Sequence, residues 1–546
     1  MKFLLIALLF ANVPLSYAQE LNDFNGEIKW DENWRSASAP EINSLSCVDK
    51  ESAYFLNLGE AGIFIQKYAL DNFSQLASSK VEGFGKKDKV GGLGLKRLNE
   101  TLYLYGSIYD ADKRARYDFV RIVDTESLAI SEMQIISNED KVKSASGKTA
   151  YEYHRWFGNF PTGHIFSGNK EIAFVTESAN NKDIGTDPKG IIMIGRLIDS
   201  DLNITEEREY KIPYKNAWIE QVKVGNDGLV YILERGKKQR GGMLLKGYYE
   251  FGKLELVVLN MHTGEIKTTE IPEAEETKIF SSQLTIGEDG SIIISGILTK
   301  NKYDISSIIF TKFNNDLEQE ISLTIPISNE FRTSFKGDDF DKPGESVDPK
   351  RQNYQFKVRD FIRLSNGTST YLIEQHHFRV KNISHDPYKN IGGQTTVSYE
   401  YYYDDIIAIN FSDNGEVNWQ TVIEKRQRTE NAYDPYVSFY HAQNNGELTL
   451  FYNESEYEQR TDKASLSKDE KKLLQDKNIG IKVNIDVDGS FTKEKIFAPE
   501  LDAKKVFISN FLPSSKGEGV IVIKKLEKKG IGKREVSQMK FGVIEW

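Results

Sequence analysis

The 546-residue chain has one cysteine, Cys47. No intramolecular disulfide can form, so the fold must rest on its core, and a chain of this length can bury one. Cys47 reads as a small buried apolar residue on a first inner strand. Proline is scarce at 13 residues, while Tyr and Phe number 27 and 30. That balance excludes a proline-rich or disordered polypeptide and favours sheet. Positive charge is not in surplus: 71 Lys and Arg face 81 Asp and Glu, a net charge of −10. A nucleic-acid partner is disfavoured. No apolar run reaches the roughly 20 residues that span a bilayer, so no transmembrane segment is expected.

Signatures of catalysis are equally sparse. The sequence holds no Gly-x-Ser-x-Gly nucleophile elbow and no glycine-rich phosphate loop. No cofactor is expected. Histidines number only 7, and no set of them has metal-ligand spacing, so no metal site is expected.

What is present begins with an address. Residues 1–18 have a short basic start at Lys2, an apolar stretch over 3–13 and a small-x-small site at Ser16-Tyr17-Ala18. That is the pattern of a secretory signal peptide. The expected mature domain is 19–546, exported to the periplasm or outside the cell, without a lipid anchor.

Beyond the signal, one unit recurs: an apolar strand, a tight polar turn and a second strand. Residues 406–411, the turn Ser412-Asp413-Asn414-Gly415 and residues 416–419 are one instance. Further turns fall at Gly225-Asn226-Asp227-Gly228, Gly287-Glu288-Asp289-Gly290, Ser365-Asn366-Gly367, Thr263-Gly264 and Asp486-Val487-Asp488-Gly489. Asn, Asp and Gly tolerate the left-handed backbone that short hairpin turns require. Looser versions occur at 199–201 and 314–316. The C-terminus, 538–546, supplies only the first half of the unit, and residues 22–30 supply an orphan second half. A chain that ends on one half and begins on the other closes a ring of sheets.

The expected fold is therefore all-β: a single β-propeller, eight four-stranded blades with seven the alternative count, its last blade completed by an N-terminal strand from 26–34. The blades tile as 45–82, 92–136, 163–212, 217–271, 279–325, 356–423, 436–497 and 505–546. In each blade, strands A to D run inside to outside. Turns A–B and C–D lie on one face; B–C loops and D–A links lie on the other. The long segments all belong to the second set, including 137–162, 235–252, 326–355, 375–403, 424–435 and 454–478. Long loops on a rigid scaffold commonly carry function. One short helix is expected at 467–475, where Ser467 and Glu470 form a capping box.

Three loop clusters carry candidate chemistry. Tyr151, Tyr153, Arg155, Trp156 and Phe160 could stack on a sugar or hold a peptide; the competing reading packs these aromatics onto the ring. His376, His377 and His385 precede Tyr399, Tyr401, Tyr402 and Tyr403. Neighbouring histidines on a strand face opposite ways, which argues against a shared metal. Asp338, Asp339, Asp341, Glu345 and Asp348 form an acidic loop without regular calcium-ligand spacing. The candidate ligand-binding set is Tyr151, Tyr153, Arg155, Trp156, Phe160, His376, His385, Tyr401 and Tyr403, with no catalytic residue assigned.

The hairpins at 256–267 and 406–419 resemble the repeat of quinoprotein-like (PQQ-type) β-propellers, through Thr263-Gly264, Gly415 with Trp419, and Trp30 after Gly26. The resemblance implies a propeller. The vicinal disulfide of that family's dehydrogenases is impossible with one cysteine, so it points to exported members without the cofactor site. The chain is also similar to secreted bacterial propellers. The leading expectation is a monomeric, non-enzymatic scaffold that binds a glycan, peptide or protein. Its alternative is a polysaccharide hydrolase or lyase using loop carboxylates, and convergent acids with raised pKa values would mark that alternative.

Overall fold

The structure is a computed structural model. It describes residues 21–545 except 25, 33–34, 38–42, 60–61, 85–88, 111–114, 140–163, 168–170, 179–190, 213–216, 241–247, 274–276, 288, 302–303, 328–354, 385–395, 430–437, 445, 459, 461–464, 476, 498–505, 514–517 and 529–534. Eight antiparallel four-stranded meanders follow one another along the chain, and the fold is a β-propeller. The described helix is Lys468–Gln475. Its capping box is formed: the Ser467 N–H donates to Glu470 Oε2 at 2.8 Å, and the Glu470 N–H donates back to Ser467 Oγ at 3.3 Å.

Two compact units divide the chain, one comprising residues 38–294 and 311–322 and the other 1–37, 295–310 and 323–546. In the first, central strands are buried on both faces and outer strands on one. Strand C of blade four, Glu255–Asn260, is buried through its middle, whereas strand D, Ile266–Glu270, alternates exposed and half-buried. Phe174 and Leu197 of blade three pack directly on Ile219, Val257 and Leu259 of blade four. Blade faces are thus stacked as sheet on sheet.

The second unit holds blades six to eight. Blade six is Gln355–Arg363, Ser369–Ser384, Thr396–Phe411 and Val417–Ile423; blade seven is Phe439–Asn444, Glu447–Ser455, Asn478–Ile485 and Phe491–Phe497. Leu372, Ile406 and Trp419 of blade six meet Leu450, Ile481 and Val483 of blade seven. Trp419 lies over the C–D turn of blade seven, where its indole N–H donates to the Val487 carbonyl at 2.8 Å. Gly489 in that turn has φ +84°, and a Cβ there would sit 2.6 Å from the Trp419 ring, so only glycine fits.

Blade eight is Val506–Pro513, Glu518–Lys528 and Glu535–Glu545, completed by Ile28–Trp30. The N-terminal closure is therefore present, with Lys29 opposite Val543. It reaches further than 26–34 suggested. Leu21–Asp23 adds a parallel strand to the edge of blade seven, and Arg35–Ala37 pairs with the far part of Glu535–Glu545.

The looser C–D turns have a physical basis of their own. Leu202 and Leu317 take the left-handed backbone usually left to glycine, at φ 65° and 61°. The side chains of Asp199 and Asn314 hold those turns by accepting backbone N–H groups, Asn203 at 2.8 Å and Glu318 at 2.9 Å. Leu202 repays the strain by full burial in the core between blades.

Candidate functional site

Strand A of blade six contains a β-bulge: Val358 pairs with Ile373 and Asp360 with Leu372, which leaves Arg359 extruded. A bulge re-aims its side chain. Arg359 turns onto Glu374 of strand B, to which its Nε donates at 2.6 Å with a second contact through Nη2. Lys425, in the segment after strand D, donates from Nζ to the other oxygen of Glu374 and at 2.8 Å to Gln427. Ser438, just before blade seven, donates its hydroxyl to Glu374 at 3.0 Å. The side chains of Glu374 and Lys425 are both 0% exposed. Burial pushes the Glu374 carboxyl up, but Lys425 and Arg359 outweigh that and hold it below its ordinary value. A buried ion pair survives only when its remaining valences are filled. Here they are.

The network continues across the blades. The Gln427 amide donates to the Asn453 carbonyl at 2.6 Å, and the Asn453 side chain spans to both the N–H and carbonyl of Ile508 on strand A of blade eight. Asp405 accepts from the Lys425 N–H and from Arg426. Glu454 accepts the Arg426 N–H at 2.7 Å, yet desolvation pushes its carboxyl up to about 7 despite the opposing charge of Lys493. All these groups lie where strand B ends and strand A begins; most of the loop expected at 375–403 is there a continuation of strands B and C, through Ser384 and from Thr396.

Beside this buried array is a half-exposed pair. Asp360 on strand A of blade six and His441 on strand A of blade seven meet at 3.0 Å, Oδ2 to Nε2, with side chains 33% and 32% exposed. With Nε2–H donating to Asp360, Nδ1 is left as the proton acceptor, and it has no partner among the described residues. Asp360 is held in place by the Phe361 N–H, which donates to Oδ1 at 2.8 Å. An oriented imidazole on innermost strands can take up a proton from a bound molecule.

Of the residues expected from sequence, His376, Tyr401 and Tyr403 come together at this end of blade six. His376 meets Tyr403 edge-on at 4.7 Å between ring centres and stacks on Tyr401 at 6.4 Å. Arg359 lies 5.6 Å over the Tyr403 ring. Burial, and then the charges of Lys357 and Arg359, lower the His376 pKa to about 4, so the ring is neutral. Tyr151, Tyr153, Arg155, Trp156, Phe160 and His385 lie outside the described residues, as does the acidic loop 338–348. Sequence reasoning missed Arg359, Asp360, Glu374, Lys425 and His441. An acid inside an apolar strand, Glu374 after Tyr371-Leu372-Ile373, was the one available signal. Among the described residues no group of acids, histidines or cysteine is arranged to hold a metal ion.

No protein-family model matches the chain, and no curated protein sequence does. Among solved structures, it is similar to a polysaccharide lyase at 10% identity, covering 97% of this chain and 94% of that one, with a TM-score of 0.34. An α-L-arabinanase of Penicillium chrysogenum complexed with arabinobiose has 11% identity, covering 72% and 98%, with a TM-score of 0.30. An α-L-arabinofuranosidase of Fusarium graminearum has 11% identity, covering 70% and 98%, with a TM-score of 0.31. These neighbours are carbohydrate enzymes. The expectation of a non-enzymatic scaffold is corrected to its enzymatic alternative, which is taken up below on the chain's own geometry; at these scores the likeness itself speaks to the β-propeller fold alone. The chain's own geometry gathers three buried acids, Glu374, Asp405 and Glu454, at one strand end; of these Glu454 is raised, to about 7, while Glu374 is lowered. These acids are on strands, not on the loops from which the alternative drew them.

Proposed function

We propose that the protein is an exported, polysaccharide-cleaving enzyme, a hydrolase or lyase, whose reacting group is His441, held in position by Asp360. The observation that carries this reading is the half-exposed Asp360–His441 pair, fixed beside a buried and internally neutralised array. Charges held rigidly in a low-dielectric surround stabilise charge that develops in a reaction without reorganising. Either chemistry needs one group to take a proton and another to return one to the leaving oxygen. In hydrolysis, water bonds to the anomeric carbon as the bond to the leaving sugar breaks; His441 takes the proton that water loses, and the leaving oxygen gains a proton from solvent water. In elimination, His441 takes a carbon-bound proton, that electron pair forms a double bond, and the bond to the leaving oxygen breaks, that oxygen gaining a proton from solvent water. Glu454, with its carboxyl near 7, is partly protonated at neutral pH. His376 and Tyr401, both half-buried, supply aromatic surface for a sugar ring, and buried Tyr403 backs them. The glycan is the partner on this reading, and the quinoprotein-like repeat reflects blade construction, with Trp419 locking one blade to the next.

Full-length protein, incubated with a panel of neutral and acidic polysaccharides, should release new reducing ends. Elimination would also give an ultraviolet-absorbing unsaturated product. Asp360→Asn and His441→Gln should each lower kcat at least a hundredfold at an unchanged melting temperature, because general acid–base catalysis contributes about 10²–10⁴. Activity undiminished in both variants would remove these residues from the reaction.

A further inference from the structure

Against a whole-chain charge of −10, the accessible side of this site is cationic. Glu374 uses the Nε and Nη2 edge of Arg359, and the guanidinium, 18% exposed, keeps its Nη1 without a partner among the described residues. Lys357, two residues earlier on the same innermost strand and directly opposite Glu374 in the ladder, is exposed and also has no partner among the described residues. Although exposed by area, its ammonium is crowded enough that desolvation first, and then the Arg359 charge, lower its pKa. Like charges placed side by side cost free energy unless something anionic lies between them. Within the chain, Glu374 already shares its two oxygens among Arg359, Lys425 and Ser438. Its charge reaches Lys357 as well, but burial and the Arg359 charge outweigh it.

We infer that Lys357 and the free Nη1 of Arg359 form a subsite for a negatively charged sugar, so that the polymer accepted by the Asp360–His441 site is anionic. This inference rests on the enzymatic reading above and narrows its substrate class. Asp360 adjoins Arg359 in sequence, so an acidic group bound there lies next to the Asp360–His441 pair. The stack of Tyr403 under Arg359 and against His376 fixes the guanidinium plane and keeps the surround apolar. Charge-assisted hydrogen bonds are strongest in such a setting. A uronate carboxylate and a sulfate ester offer the same anionic oxygens, and the two can be told apart by experiment.

Binding to the intact protein is measured calorimetrically with three oligosaccharides of matched length: a polyuronate, a sulfated galactan and a neutral galactan. The expected result is binding of one anionic oligosaccharide, weakening with salt, and at least tenfold loss in Lys357→Glu at an unchanged melting temperature. Lys357→Arg should keep most of the affinity, which a merely structural role would not require. The polyuronate arm identifies a carboxylate and the galactan sulfate arm a sulfate ester. Preference for the neutral oligosaccharide, or anionic binding that Lys357→Glu leaves intact, would overturn the subsite while leaving cleavage standing. Failure to bind or cleave any of the three, with cleavage also absent across the wider panel, would overturn the enzymatic reading itself.

Discussion

Single residues set much of the energetics. Glu234 on strand B of blade four is fully buried and accepts one hydrogen bond, from Tyr210 at 2.8 Å. Its other oxygen has no hydrogen-bond partner in the structure. Desolvation pushes the carboxyl up to about 7, only partly countered by Tyr210. An acid whose folded pKa lies above its unfolded one holds more protons when folded, so its contribution to stability falls as pH rises between the two values. The window here runs from the ordinary value of 4.5 to about 7. Glu234→Gln should therefore raise the melting temperature at pH 8 and lose that advantage near pH 4.5. Thermal melts of both proteins across that range check it; a constant offset at every pH would show that Glu234 stays ionised.

At the scale of elements, two blades solve one problem with opposite charges. In blade four the bulge extrudes Glu220, which pairs with Arg235 of strand B; in blade six it extrudes Arg359, which pairs with Glu374. Both pairs are separated by 15 residues. The blade-four pair is more nearly closed off: Arg235 also donates to the Ile279 carbonyl of blade five, and Glu220 accepts from Ser282. Glu220→Arg and Arg235→Glu should each cost about 3–5 kcal/mol, because each leaves like charges buried together. The double exchange should restore part of that, with a coupling of about 1–3 kcal/mol in a denaturation cycle. Simple additivity would show that the partners do not interact through their charges. None of this was legible in the sequence, because the bulge that brings the pair together leaves no mark on residue spacing.

At the scale of the whole molecule, the N-terminal strands decide how the last blade ends. Trp30 packs edge-on against Phe497 at 6.5 Å, and Phe24, Ile28 and Trp30 cover the core of blades seven and eight. Removing residues 19–31 would strip Ile28–Trp30 from Gly542–Ile544 and leave that part of the edge unpaired, which invites association with other chains. The shortened protein should melt at lower temperature and appear as oligomer or aggregate in size-exclusion chromatography. A monomer of undiminished stability would mean that the closure is dispensable.

Local residue pattern was enough for the all-β class, the eight blades, the closure by Ile28–Trp30 and the turns at Gly228, Gly264, Gly290, Gly367, Gly415 and Gly489. Those features depend on neighbours within a few residues: side-chain alternation along a strand, and the left-handed backbone that a short turn demands. Of the site, it indicated His376, Tyr401 and Tyr403, whose positions follow from one hairpin register. Only the tertiary structure brought Asp360 to His441, 81 residues away, and Glu374 to Lys425, 51 residues away. These contacts are made by the stacking of adjacent blades and the run of the segment between them. Strand periodicity says which face a side chain takes, but not which residue of the next blade it will meet.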